Sequence, residues 1–245
     1  MRNPRIYTTQ PLASQQELQL EPGSSAHIAR VLRMTVGQPL RLFDGSGFEY
    51  PATIVAADKR AVTVALGARE ERDLESPLAV ELGIGISRGD RMDWVLQKAT
   101  ELGVGRLVPL FTERTEVKLK GERAQKKQQH WQQVIVSACE QCGRNRLPQL
   151  ETPTDLGHWL QSCQAERRFV LHHRASAAAS GQSVPQSVAL AVGPEGGLGD
   201  AEIDAALAAG FEALTLGPRI LRTETAPLAA IAILQSRWGD MNPEQ

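Results

Sequence analysis

Apolar and polar positions alternate along residues 39–66. Pro39-Leu-Arg-Leu-Phe-Asp44, Phe48 to Ala57 and Ala61-Val-Thr-Val-Ala-Leu66 each show the period of two expected of a half-buried strand. Asp44-Gly-Ser-Gly47 and Asp58-Lys-Arg60 supply turn residues between them. Short strands joined by such turns predict a small β-barrel domain over residues 1–72. Within it, His27-Ile-Ala-Arg-Val-Leu-Arg33 reads as a helical turn, with Ile28, Val31 and Leu32 on one side and Arg30 and Arg33 elsewhere. Glu70-Glu-Arg-Asp-Leu-Glu-Ser-Pro77 is charged, aperiodic and closed by proline, which marks a linker.

Beyond the linker the period changes. Residues 80–86, 106–110, 168–172, 188–192 and 214–216 read as short apolar strands. Between and after them lie helical patterns at 91–102, 122–142, 201–209 and 225–238. The first helix sets Met92, Val95, Leu96, Ala99 and Leu102 on one stripe and meets a stop at Gly103. The second does the same with Trp131, Val134, Ile135 and Ala138. Strand–helix alternation predicts an α/β domain over residues 78–245, a parallel sheet with helices on its faces. Residues 176–187 are small and polar and read as a loop.

The chain has 245 residues, 42% of them hydrophobic, enough for a real core, and a net charge of −1. No segment approaches the ~20 apolar residues of a membrane span. The first residues, MRNPRIYTTQPL, lack the apolar stretch of a signal peptide, so a cytoplasmic protein with no membrane partner is expected. Charge is unevenly spread. Residues 114–146 carry eight arginines and lysines against three glutamates, a local +5 suited to phosphate. Three cysteines do not make a disulfide framework. Cys139-Glu-Gln-Cys142 lies in a helix with no second pair, and His172-His173 has no acidic partner nearby, so no metal is expected.

Ligands of open α/β sheets sit at the carboxyl ends of strands. Three segments fall there: Leu171-His-His-Arg174, Gly193-Pro-Glu-Gly-Gly-Leu198, and Leu216-Gly-Pro-Arg-Ile-Leu-Arg-Thr-Glu-Thr-Ala226. Neither a GxGxxG after a strand, nor a phosphate-binding GxxxxGK[ST], nor a hydrolase GxSxG is present.

The second and third of these segments resemble the signature pair of the RsmE-type SPOUT methyltransferases, which methylate N3 of a uridine in 16S ribosomal RNA. Residues 27–33, Lys98-Ala-Thr-Glu-Leu-Gly-Val104 and Ala138-Cys-Glu-Gln-Cys-Gly-Arg144 match in the same order, so the resemblance runs along nearly the whole chain. It implies a PUA-like RNA-binding barrel, a SPOUT α/β domain with a deep trefoil knot, and a homodimer acting on 16S rRNA of the small ribosomal subunit. The implied cofactor is S-adenosylmethionine, held by Leu171, His172, Gly193, Pro194, Glu195, Gly196, Gly197, Leu216, Gly217, Ile220, Leu221, Arg222, Thr223, Thr225 and Ala226. Gly199 departs from the family pattern, where a polar helix cap is usual.

Uracil N3 carries a proton at neutral pH, so the reaction needs a base and groups that stabilise the uracil anion. Glu140 or Glu224 is the candidate base; Arg222 or Arg144 is the candidate for the anion. Arg2, Arg5, Arg30, Arg33, Lys118 and Arg123 are candidates for the RNA backbone. Two alternatives compete with this reading: a SPOUT enzyme acting on a ribose 2′-hydroxyl, and a non-catalytic RNA-binding assembly factor.

Overall fold

The computed structural model describes residues 3–58, 61–172 and 183–242. The chain forms two compact units, one of residues 1–75 with 136–147, the other of residues 76–135 with 148–245. The segment 136–147, placed by its sequence in the second domain, thus groups with the first.

The first unit holds β1 (Arg5–Tyr7), β2 (Glu17–Gln19), α1 (Pro22–Ala26), β3 (Pro39–Phe43), β4 (Phe48–Ala57), β5 (Val62–Leu66) and β6 (Glu70–Glu71). The strands pair in the order β1-β3-β4-β5-β2, with β6 on β4. Among the described residues of this unit only the β1–β3 pairing is parallel. Alternation decides the faces: in β5, Val62, Val64 and Leu66 are buried while Thr63 and Ala65 are half-exposed. They join Ile6, Ile28, Leu40, Leu42 and Ile54 in one core. Between β3 and β4, the Asp44 carboxylate accepts the Ser46 N–H at 3.0 Å, the side-chain-to-backbone bond for which aspartate is favoured in turns. His27–Val31 forms a single wide helical turn. It buries Ile28 but leaves Val31 67% and Leu32 37% exposed, so the apolar stripe expected there does not form. Arg33, with φ 54°, has already left the helix. β1, β2 and α1 are too short to leave a period in the sequence.

The second unit contains β7 (Ala79–Gly85), α2 (Arg91–Glu101), β8 (Arg106–Phe111), α3 (Gly121–Cys142, whose last turns belong to the first unit), β9 (Gln149–Leu150), β10 (Thr154–Asp155), α4 (Leu156–Ser162), β11 (Arg167–Leu171), β12 (Ser187–Val192), α5 (Asp200–Ala208), β13 (Glu212–Leu214) and α6 (Ala226–Trp238). Its strands run in the order β10-β8-β7-β12-β11-β13, with β9 on β8, and every pairing is parallel. The central strands are apolar almost throughout, as strands covered on both faces must be. α2 buries Met92, Val95, Leu96 and Ala99. α6 packs on α2 and β12. The final strand lies two residues earlier than its sequence indicates, at 212–214, because β11 takes its hydrogen bonds there. α4 buries Leu156, Trp159 and Leu160 at helical spacing, yet seven residues carry too little period to stand out.

Candidate functional site

β12, β11 and β13 are neighbours, and all three end on the same edge of the sheet, at Val192, Leu171 and Leu214. The chain leaving them lines one cavity of about 430 Å³, inside the ~300–1,000 Å³ range of small-molecule sites. Of the residues expected to hold a cofactor, Leu171, His172, Gly193, Pro194, Glu195, Gly196, Gly197, Leu216, Gly217, Ile220, Leu221, Thr223 and Ala226 line it. Arg222 and Thr225 do not; both side chains are exposed. The Thr225 and Ala226 N–H groups both donate to the Arg222 carbonyl at 2.9 Å, closing a tight turn between the two residues.

The glycines of the 193–198 loop are spatially necessary. The Gly197 N–H donates to Pro194 O at 2.8 Å, closing a turn in which Gly197 has φ +70°. A Cβ on Gly193 would stand 2.6 Å from the Gly197 carbonyl carbon and the Leu198 nitrogen. The loop is tied down from outside. The Glu195 carboxylate accepts the Arg88 N–H at 2.9 Å and pairs with Arg91 Nη1 at 3.2 Å. Arg91 Nε also faces Glu224 at 3.7 Å, so one α2 guanidinium connects the 193–198 loop with the start of α6. The His172 N–H donates to Leu214 O at 3.1 Å, and the Thr215 hydroxyl donates to His172 O at 3.1 Å.

Several wall residues lie outside the set expected to hold the cofactor. Val192, Leu198, Ile203 and Leu214 add apolar surface, and Asp200, Arg114 and Arg219 add charge. Arg114 comes from the loop after β8; its Nη1 donates to the Gly196 carbonyl at 2.6 Å. Only tertiary contact places it here, since β8 lies two strands away from β12. The donor set suits S-adenosylmethionine: apolar walls for a flat base, close backbone groups for its edge, and the carboxylates of Glu195 and Asp200 for a cationic group.

The two other catalytic candidates lie in the first unit. The Glu140 carboxylate accepts the Tyr7 N–H at 3.0 Å, and burial is the main cause of a pKa above the usual carboxylate value. Arg144 is 5% exposed, and its Nε and Nη2 both donate to one oxygen of Glu75. Glu75 thus competes with any anion for its guanidinium. Arg5 is engaged likewise. It is buried, paired with Glu49, and donates to Asn145 Oδ1 at 2.7 Å, at the wall of a cavity of about 520 Å³. Arg30 and Arg33 are exposed, and Arg2 lies outside the described residues.

Lys118 and Arg123 are exposed at a wider cleft of about 820 Å³. Ion pairs cross that cleft between Arg88 and Glu116 and between Lys127 and Asp93. It is larger than the strand-end cavity but far more charged, which suits a polyanion better than a small ligand with an apolar ring.

Cys139 is fully buried, its thiol pushed up to about 12 mainly by burial, and all three cysteines are free. Among the described residues no group of three or more His, Cys, Asp or Glu could hold a metal ion. No helix among them is long and apolar enough to cross a membrane.

A family model described as an RNA methyltransferase domain matches residues 74–235, and one described as an RNA methyltransferase PUA domain matches residues 22–66. Ribosomal RNA small subunit methyltransferase E of Buchnera aphidicola (subsp. Schizaphis graminum) is 34% identical over 98% of this chain and 99% of its own. The protein of that name from Bacillus subtilis is 34% identical over 85% of each. The fold is similar to that of ribosomal RNA small subunit methyltransferase E from Neisseria gonorrhoeae, solved bound to S-adenosyl methionine, with TM-score 0.94 and 39% identity over 98% of this chain and 100% of that one. A Legionella pneumophila protein solved with the cofactor SAM gives TM-score 0.95 and 41% identity over the same shares. With the catalytic-domain model covering most of its length and relatives aligned from end to end, the chain belongs to the ribosomal RNA small subunit methyltransferase E family of RNA methyltransferases.

Proposed function

We propose that the protein methylates N3 of a uridine in 16S rRNA of the small ribosomal subunit, using S-adenosylmethionine held in the strand-end cavity. The observation that carries this reading is the convergence of three loops on one 430 Å³ cavity, in a chain whose relatives of known structure bind that cofactor. Bound there, the cofactor supplies an electrophilic methyl group on a sulfonium. N3 gives up its proton and its electron pair bonds the methyl carbon, while the pair of the broken S–C bond stays on sulfur. The donor's positive charge is thereby cancelled, so the protein's main contribution is orientation together with stabilisation of the uracil anion.

In this reading the residues 193–198 and 214–221 hold the cofactor and Glu224 takes the N3 proton. Glu224 stands just before α6, beside the cavity loop and within reach of Arg91, whereas Glu140 is committed to Tyr7. Arg222, exposed next to the cavity, meets RNA. Arg30 and Arg33 hold its backbone from the first unit, and Lys118 and Arg123 hold it from the second. N3 lies on the Watson–Crick edge, so the target base is unpaired or flipped out.

The C-terminal segment is proposed to thread a trefoil knot, supported by β12 and β11 lying between β7 and β13 and by α6 packing on α2 and β12. A homodimer is proposed because α2 and α6, which pack together, leave Trp94 and Ile233 each 51% exposed. The proposed place of work is the cytoplasm. The test incubates the protein with unmodified small subunits and labelled S-adenosylmethionine, then maps the label. N3-methyluridine at one position of 16S rRNA is expected; label on a ribose 2′-oxygen, or none, refutes the reading. Sedimentation showing an active monomer at micromolar concentration refutes the dimer.

A further inference from the structure

The uracil anion formed at N3 spreads its charge onto the two ring oxygens, and a fixed cation there lowers the barrier. The arginines singled out by sequence do not meet this need. Arg144 is buried against Glu75, and Arg222 is not among the residues lining the cavity. Two other arginines stand in the cavity wall, Arg114 and Arg219.

Of the pair, Arg114 is the one held in place. The Thr112 N–H donates to the Thr115 hydroxyl and the Thr115 N–H to Thr112 O, each at 3.0 Å, so Arg114 rides on a closed turn. Next to it, the Glu113 N–H donates to Glu202 Oε1 at 2.8 Å. The other oxygen of Glu202 accepts the Gly199 N–H at 2.8 Å, which fastens the turn to the first turn of α5 and to the end of the glycine loop. The Arg114 stem lies over Gly196, where an added Cβ would come within 3.1 Å of it, and Nη1 donates to Gly196 O at 2.6 Å. A guanidinium has five N–H donors, and this bond uses one. The rest form a flat, permanently charged fork at the wall of the cavity. Anchoring of this kind means that little reorganisation is needed as charge develops.

We propose that Arg114 is a catalytic residue: its guanidinium donates to the uracil oxygen that carries the charge of the N3 anion. This rests on the reading of the strand-end cavity as the site of uridine N3 methylation. No further co-reactant is involved; the N3 proton goes to the base, the methyl carbon to N3, and Arg114 keeps all its protons.

The experiment compares wild type, Arg114→Met and Arg114→Lys. Binding of S-adenosylmethionine is followed by calorimetry, and single-turnover methylation is measured on small subunits that lack the modification. The subunits come from cells grown with or without 5-fluorouracil. Fluorine at C5 withdraws electrons and makes N3–H more acidic, so the anion needs less help. On ordinary subunits Arg114→Met should bind the cofactor as wild type does and lose about 10²- to 10³-fold in rate, the usual cost of removing an oxyanion donor. On fluorinated subunits the deficit should shrink by on the order of tenfold, which corresponds to ~1.4 kcal/mol of barrier. Arg114→Lys should fall between the two, since it keeps the charge and loses the fork. An equal deficit on both kinds of subunit overturns the inference, as does a loss of cofactor affinity large enough to account for the lost rate. Should the wild type itself leave N3 unmethylated, the functional reading and this inference fall together; with an active wild type, only the inference is at risk.

Discussion

Gly85 is the last residue of β7 and does not line the cavity, yet its substitution should disable the site. A Cβ on Gly85 would stand 2.5 Å from both the ring Cδ and the nitrogen of Pro194, and 2.9 Å from the Gly193 carbonyl carbon. Ordinary contact begins at 3.4 Å, so β7 and the 193–198 loop must separate by about 0.9 Å. Neither side yields easily. β7 is paired with β8 and β12, and the atoms met are a proline ring and backbone rather than the end of a flexible chain. Overpacking of this sort costs about 1–3 kcal/mol of stability. Displacing reacting groups by ~1 Å costs roughly 10²-fold in rate. Gly85→Ala should therefore lower cofactor affinity and single-turnover methylation together by about that factor while remaining folded. Gly157→Ala is the control. Gly157 lies in α4, and a Cβ there meets nothing within 4 Å, so it should raise stability by ~0.5–1 kcal/mol and leave binding unchanged. Calorimetry with S-adenosylmethionine and thermal unfolding of both variants decide the matter. Wild-type affinity in Gly85→Ala would refute the claim that close strand–loop packing sets the cavity.

An Arg30→Ala, Arg33→Ala double variant should bind S-adenosylmethionine normally and lose RNA affinity, with a shallower salt dependence because fewer phosphates are neutralised; titration of RNA at several salt concentrations measures this. Gln235 is fully buried in α6, donates to Leu102 O at 2.9 Å and accepts the Ser76 hydroxyl at 2.6 Å. Gln235→Leu leaves both partners unsatisfied and should cost about 1–3 kcal/mol in chemical denaturation. The Cys139 thiol has a folded pKa of about 12 against an ordinary 9.0, so the native state retains a proton that the unfolded state releases. Its contribution to stability is therefore complete below about pH 9 and is lost as pH rises toward 12. Cys139→Ala should flatten the alkaline fall in stability; an unchanged pH profile would count against this burial effect.

Much of this protein is legible in its residues. Alternation in β5 and the apolar run of β12 indicate a half-buried strand and a doubly covered one, because side-chain period follows directly from strand geometry. The stripe of α2 does the same for a helix. The glycine-rich segment after β12 is visible because Gly197 has φ above zero, which favours glycine, and a Cβ on Gly193 would meet the loop's own backbone. Period ends where elements become short. β1, β2, β9, β10 and α4 were invisible for that reason, and the two-residue displacement of β13 is set by its hydrogen bonds to β11. Charge is still less legible than shape. A run of arginines and lysines from 114 to 146 looks uniform in sequence, yet Arg144 is buried against Glu75, Arg123 is exposed at the wide cleft and Arg114 stands in the strand-end cavity. Arg5 likewise disappears into an ion pair with Glu49, 44 residues away. Local sequence determines which backbone a segment prefers, because that preference acts through neighbouring residues. What a charged side chain faces depends on partners that only folding brings near, and the tertiary structure alone decides it.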